Sequence, residues 1–256
     1  MNLSPFDSRC KELLESLPKR YSRNCFRSAF HHLEMAQLIA KHDPAMAVFR
    51  GLTAEEEACS GLMHCLKERG YKNADLLKPR DHVQKNAIAP FLDVLGLFSA
   101  EAFHAHVKKP ALRLDGEGAA RRLMLDLLMD VNGVDQWVHP IPPLNFNITL
   151  DGKPPSYRDQ IDAFASQRNV KNMLEHIRAQ ANQRNQLLYA SPDGYPSGAD
   201  LNDSFLEARK VRVFALVRAY LLIQPYNEKF IFVQDSLDAF LAMLGRLNVS
   251  DLHQDV

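Results

Sequence analysis

Apolar residues recur at three- and four-residue spacing along most of this chain, and that repeat constrains the fold more than any other feature. Phe26, Phe30, Leu33 and Ala40 follow it, as do Leu52, Cys59, Leu62 and Leu66. Val83, Ala87, Phe91, Val94 and Phe98 form a third set. Leu123, Leu127 and Val131 form a fourth, behind a glycine-rich turn at 115–118. The repeat then breaks at Pro140, Pro142, Pro143, Pro154 and Pro155, which bracket an alternating Asn-Phe-Asn-Ile-Thr-Leu run. That run predicts a short strand at 144–150, the one β signal in the chain. Helix resumes near Ser156 and reaches about Tyr189, where the loop Ser-Pro-Asp-Gly-Tyr-Pro-Ser-Gly ends it. Asp203 or Ser204 opens a further helix toward Ile223, and Asp235 or Ser236 a last one through Leu247. The expected fold is all-α: an antiparallel helical bundle of about seven helices in a single domain over 1–256. A Pro-rich insert at 138–156 and C-terminal helices over 203–248 complete it.

Composition narrows the class. The chain has 256 residues with 31 basic and 31 acidic side chains, a formal net charge of zero. A surface built wholly for nucleic acid or anionic lipid carries a large basic excess, so that class is excluded. With 46% apolar and 24% charged residues the chain can form a core and is not disordered. The balance is local, however. Basic residues outnumber acidic ones in 1–42, 78–122 and 158–189, and the segments between them are acidic. Any nucleic-acid contact is therefore expected in a cleft between particular helices. Cys10, Cys25, Cys59 and Cys65 form no C-x-x-C pair and read as small buried hydrophobes of a reducing compartment. The first residues lack an apolar signal-peptide core, and the apolar stretch at 211–223 is interrupted by Arg212 and Arg218. The expectation is a cytoplasmic protein with no membrane partner.

Chemistry is expected where polar residues break the apolar stripes. Glu55, Glu56 and Glu57 follow one another on a helix whose stripe is Leu52, Cys59, Leu62 and Leu66. Glu55 and Glu56 fall at its edge, where a carboxylate needs a cation or hydrogen-bond donor from a neighbouring helix. Glu57 points away. The next helix offers Arg80, His82 and Lys85, the last two sharing a face. Farther on, Val170, Leu174, Ile177, Ala181 and Leu188 form a stripe that contains Arg184. A guanidinium there needs a carboxylate, either from Glu55 or Glu56 or across a subunit interface. Lys171, Arg178, Asn182, Asn185 and Tyr189 line the adjacent flank as a partly basic strip.

Ala54-Glu-Glu-Glu, His82-x-x-Lys85 and Arg184-Asn-Gln-Leu-Leu-Tyr189-x-x-Pro192-Asp-Gly, in that order, resemble the helical HEPN superfamily, and within it the AbiV-type abortive-infection proteins. The likeness extends over 26–196. It implies an antiparallel bundle that forms a homodimer, and a metal-independent endoribonuclease or RNA-binding activity in phage defence. Arg184, Asn185, Tyr189, Glu56 and His82 would be the catalytic residues, and Lys85, Lys171 and Arg178 would bind RNA. In such chemistry an Arg stabilises charge on phosphorus, a His moves protons and the ribose 2′-hydroxyl attacks. The chain departs from the family pattern at two places. Tyr189 stands where a histidine is usual, and a phenol is a poor base at neutral pH. Ser60 stands where a lysine is expected after the paired glutamates.

Other motifs carry less. His104-x-His106 suggests a metal, but no third ligand accompanies it, and no metal site or cofactor motif is predicted. Arg27 and His32 fit an Arg-x4-His spacing on the wrong helix. His31, His32 and His64 have no nameable partner, and Trp137-Val-His139 reads as loop packing. A second reading stays open, in which Arg184 and the glutamates are structural. The chain would then be a non-catalytic helical module that binds a protein partner in a defence or toxin–antitoxin system. An enzyme acting on a nucleotide in the same cleft is a third.

Overall fold

The computed structural model describes residues 1–103, 107–146 and 203–252, together with Ile177. Within them the chain is mostly helical, with α1 at Pro5–Ser16, α2 at Tyr21–Ile39, α3 at Pro44–Glu68, α4 at His82–Phe103, α5 at Asp203–Ile223 and α6 at Ile231–Leu252. A small sheet of β1 (Val107–Asp115), β2 (Arg122–Val131) and β3 (Val134–Val138) lies between α4 and α5 in sequence.

Local chemistry sets the helix starts. Ser4 accepts a hydrogen bond from the Asp7 amide, with Pro5 at the first helical position of α1. Asp43 accepts from the Met46 amide ahead of Pro44, which opens α3 in the same way. Asp81 accepts from the amides of Val83 and Gln84 and so fixes where α4 begins. Each bond satisfies an amide that the first helical turn leaves without a partner.

The chain divides into two compact units. The first comprises 1–65, 79–89 and 176–221. Its core joins Leu13 and Leu14 of α1, Phe26 and Phe30 of α2, Ala54, Ala58 and Met63 of α3, and Phe214 and Tyr220 of α5. Phe26 and Tyr220 meet with ring centroids 4.8 Å apart, and Phe30 and Phe214 at 5.4 Å. Ile177 is helical and fully buried, in agreement with the stripe predicted for its segment. The second unit comprises 66–78, 90–175 and 222–256. Phe91 and Phe98, Leu123 and Leu127, and Phe230 and Phe240 are buried in it. The Tyr71 hydroxyl accepts a hydrogen bond from the Phe230 amide, and Asn73 donates to Asp238.

The sheet corrects the all-α expectation. Leu123, Leu127 and Val131 lie on β2 rather than on a helix. The antiparallel order is β1-β2-β3, with Ala111 opposite Asp126 and Leu128 opposite Trp137. One face of β2 is wholly apolar (Leu123, Leu125, Leu127, Met129 and Val131), and on the other Met124 and Leu128 stand between Arg122, Asp126 and Asp130, so apolar and charged residues alike recur every four positions and mimic a helix. Asn132 and Gly133, both at positive φ, form the two-residue hairpin between β2 and β3. The strand expected at 144–150 is not found at 144–146, which are turn and coil; 147–150 lie outside the described residues. Two further helices differ from expectation. α1 was not anticipated, and α6 begins at Ile231, before the expected Asp235. Among the described residues no helix is long and apolar enough to cross a membrane.

Candidate functional site

The two glutamates singled out in the sequence diverge in the structure, because consecutive helical residues point about 100° apart. Gly51, one turn before Glu55, lets α5 approach closely: a Cβ there would lie 3.1 Å from the Phe205 ring and 3.6 Å from the Arg209 side chain. Glu55 consequently meets α5. Its Oε2 accepts from Arg209 Nη1 at 2.5 Å and its Oε1 from Arg212 Nη1 at 3.3 Å. Arg209 is 11% exposed and also lies over the Phe205 ring, whereas Arg212 is 37% exposed.

Glu56 turns to α4. Its Oε2 accepts from Lys85 Nζ at 3.0 Å and lies 3.0 Å from His82 Nδ1. Lys85 is 8% exposed and His82 50%. The start of α4 is held there by Ser60, whose hydroxyl lies 2.9 Å from the Glu56 carbonyl oxygen and 3.2 Å from that of Pro79. Ser60 thus serves the backbone. The carboxylate on Nδ1 selects the ring form with the proton on that nitrogen and leaves Nε2 as the basic nitrogen. One turn along α3, the Cys59 thiol is pushed up by burial and further by Glu55 and Glu56, against Lys85 and Arg212. Cys59 therefore sits amid the charges of both pairs.

Glu56, His82 and Lys85 are thus brought together. Arg80, two residues before His82 in sequence, is exposed. Arg184, Asn185, Tyr189, Lys171 and Arg178 lie outside the described residues, as does His104-x-His106. Arg209 and Arg212 are the site residues that sequence reasoning missed. They stand more than 150 positions from Glu55, and of the two only Arg212 was marked, by its interruption of the apolar stretch at 211–223. Arg27 and His32 have separate partners: Arg27 pairs with Glu15, and His32 Nδ1 lies 3.3 Å from Arg50. His64 stacks edge-on against Tyr21.

A second polar cluster sits on the sheet. Asp126 Oδ2 accepts from Arg113 Nε at 2.7 Å, and its Oδ1 lies 2.7 Å from His139 Nδ1. Arg113 also reaches Asp115 at 2.9 Å. Burial raises the Asp126 pKa, but the bonds from His139 and Arg113 outweigh it and hold the carboxyl below its usual range. Trp137 is a half-exposed strand residue and His139 a hydrogen-bond partner of Asp126, which corrects the reading of that segment as loop packing. Among the described residues no three His, Cys, Asp or Glu side chains gather as a metal site.

Comparison of the chain with models of known families, with curated proteins and with solved structures gives no match.

Proposed function

We propose that the chain is a HEPN-like, AbiV-like phage-defence protein that acts as a metal-independent endoribonuclease, working as a homodimer. The carrying observation is the convergence of Glu56, His82 and Lys85, two helices joined by an acid that bonds both an ammonium and an imidazole Nδ1. This reading gives Arg184 the charge on phosphorus, Asn185 and Tyr189 the contacts around it, and Lys171 and Arg178 the RNA backbone. Lys85 serves through Glu56, to which its charge is committed. The test is single-stranded RNA incubated with the protein in excess chelator, beside Arg184→Ala. Cleavage by the wild type and none by the variant supports the reading; equal behaviour of the two overturns it.

A second reading draws on Glu55, which two arginines of its own unit already occupy. If Glu56 is equally structural, the chain is a non-catalytic module for a protein partner. In that case Arg184→Ala lowers the melting temperature and RNA is left intact.

A further inference from the structure

The small sheet has two outer edges, and they are built differently. β1 forms one. It carries Lys108, Lys109 and Pro110, all exposed, and its register with β2 shifts between Val107 and Lys109. Lysines, a proline and an irregular register are devices that keep an open edge from pairing with another strand. β3 forms the other edge, since β1-β2-β3 is the whole sheet among the described residues. Its sequence is Val134-Asp-Gln-Trp-Val138, every residue of it is exposed, and it pairs with β2 in unbroken register. It has no lysine, no proline and no bulge. Of the ten large apolar residues exposed in the described chain, four fall between 134 and 141: Val134, Trp137, Val138 and Ile141. An exposed apolar strand with an open edge is a surface for adding a further strand.

We propose that this edge takes up β3 of a second copy of the chain, antiparallel and about a two-fold axis through Gln136, so that two sheets join into one. The strand is symmetric about that residue, with Val134 and Val138 two positions to either side. Asn132 and Gly133 close a two-residue turn, so Val131 and Val134 exchange hydrogen bonds, and such pairs alternate along the ladder. Val134, Gln136 and Val138 therefore bond to β2, while the amide and carbonyl groups of Asp135 and Trp137 point outward. An axis through Gln136 sets Asp135 of each copy opposite Trp137 of the other, so every outward group of both residues finds a partner. Val134 then meets Val138 of the second copy, a β-branched cross-strand pair. Charge fits as well. Asp135 is the one charge on β3, it does not face its own counterpart, and it is already bonded to Lys108 of β1. A strongly acidic or basic partner segment would find no net charge there to match. The patch is small beside the ~800 Å² that each side of a stable interface buries, so the pairing is weak, with a Kd of about 10–100 µM. It gives the proposed homodimer an interface but rests on β3 alone, not on RNA cleavage.

Covalent trapping on the full chain tests the register. Opposite residues that do not exchange hydrogen bonds have Cα atoms about 4.5 Å apart, within disulfide range. Gln136→Cys is therefore expected to give a disulfide-linked dimer under oxidised glutathione, read on a non-reducing gel. Val138→Cys, whose counterpart lies beyond that range, stays monomeric. Cys10, Cys25, Cys59 and Cys65 are buried and do not compete. Sedimentation equilibrium up to about 200 µM reads the association itself, and Val134→Lys and Val138→Glu should each weaken it at least about tenfold. Combined, the two substitutions restore much of it, because the new side chains meet across the axis with opposite charge. A fold defect would give no such rescue, and the cysteine variants cover the case in which a charged variant fails to fold. Equal linking of the two cysteine variants, or a wild type that stays monomeric throughout, overturns the pairing. A dimer that both single charged variants leave unchanged also overturns it, and moves the homodimer of the ribonuclease reading to another surface. Paired β3 edges in a protein that leaves RNA intact overturn the ribonuclease reading and keep this one.

Discussion

Glu56 among the helices and Asp126 on the sheet are built from the same three parts: a mostly buried carboxylate, a cation, and a half-exposed histidine bonded through Nδ1. They differ in the cation. Lys85 is buried with its acid, whereas Arg113 stays largely in solvent and has a second acid, Asp115. An ammonium enclosed without its partner has no water to turn to, and a half-exposed guanidinium does. The same residue types thus form a cluster sensitive to each member in one place and a tolerant one in the other.

The sharpest way to break this contrast is to remove the acids. Glu56→Ala is expected to cost about 3–5 kcal/mol in urea unfolding, since it strands Lys85. The double variant Glu56→Ala, Lys85→Met should recover most of it; a double no more stable than the single would mean that charge burial is not the cause. Asp126→Ala should cost less, about 1–3 kcal/mol, because Arg113 keeps Asp115 and water. Acid sharpens the comparison next. The Asp126 pKa is depressed in the folded chain, so its contribution is complete above the ordinary carboxylate value, near ~3.9, and is lost as pH falls through the lower folded value. Urea midpoints measured from neutral pH downward should show that decline, and Asp126→Asn should flatten it. Replacing either histidine with alanine should change stability by under about 1 kcal/mol, because both rings are half in solvent. A larger loss for His82 would make it a structural strut. The smallest effect concerns the thiols: burial lifts Cys10 to about 11 and Cys59 well above its usual value. Neither should react with iodoacetamide in the folded protein at neutral pH, as mass spectrometry would record.

The helical part of the fold was legible because its stripes are strict. Phe26, Phe30 and Leu33 are all buried on one face of α2, and Phe91, Val94 and Phe98 on one face of α4. The pairing of Glu56 with α4 was legible for the same reason, since an acid at a stripe edge must be met by the adjacent helix. β2 was not. Met124 and Leu128 interrupt the charged face of the strand, so its alternation with Leu123, Leu125 and Leu127 is partly masked, and few of its residues are β-branched. The Asn132-Gly133 turn was the available signal. Glu55 with Arg209 and Arg212 was beyond reach, because nothing local tells a helix which distant arginine will arrive. α1 escaped because its apolar residues are few, although Ser4-Pro5 and Asp7 mark its start.

One contact bears on how relatives of this chain would look. A Cβ at Gly61 would fall 2.7 Å from the Phe26 ring, so α2 and α3 approach there only because one residue has no side chain and the other fills the space. The two positions can therefore drift only together. A sequence that carries alanine or serine at the first would need a smaller residue at the second, or a wider spacing of the helices. Across 35 positions of otherwise replaceable apolar residues, this coupled substitution offers a register mark by which a distant homologue could be aligned when overall identity has faded.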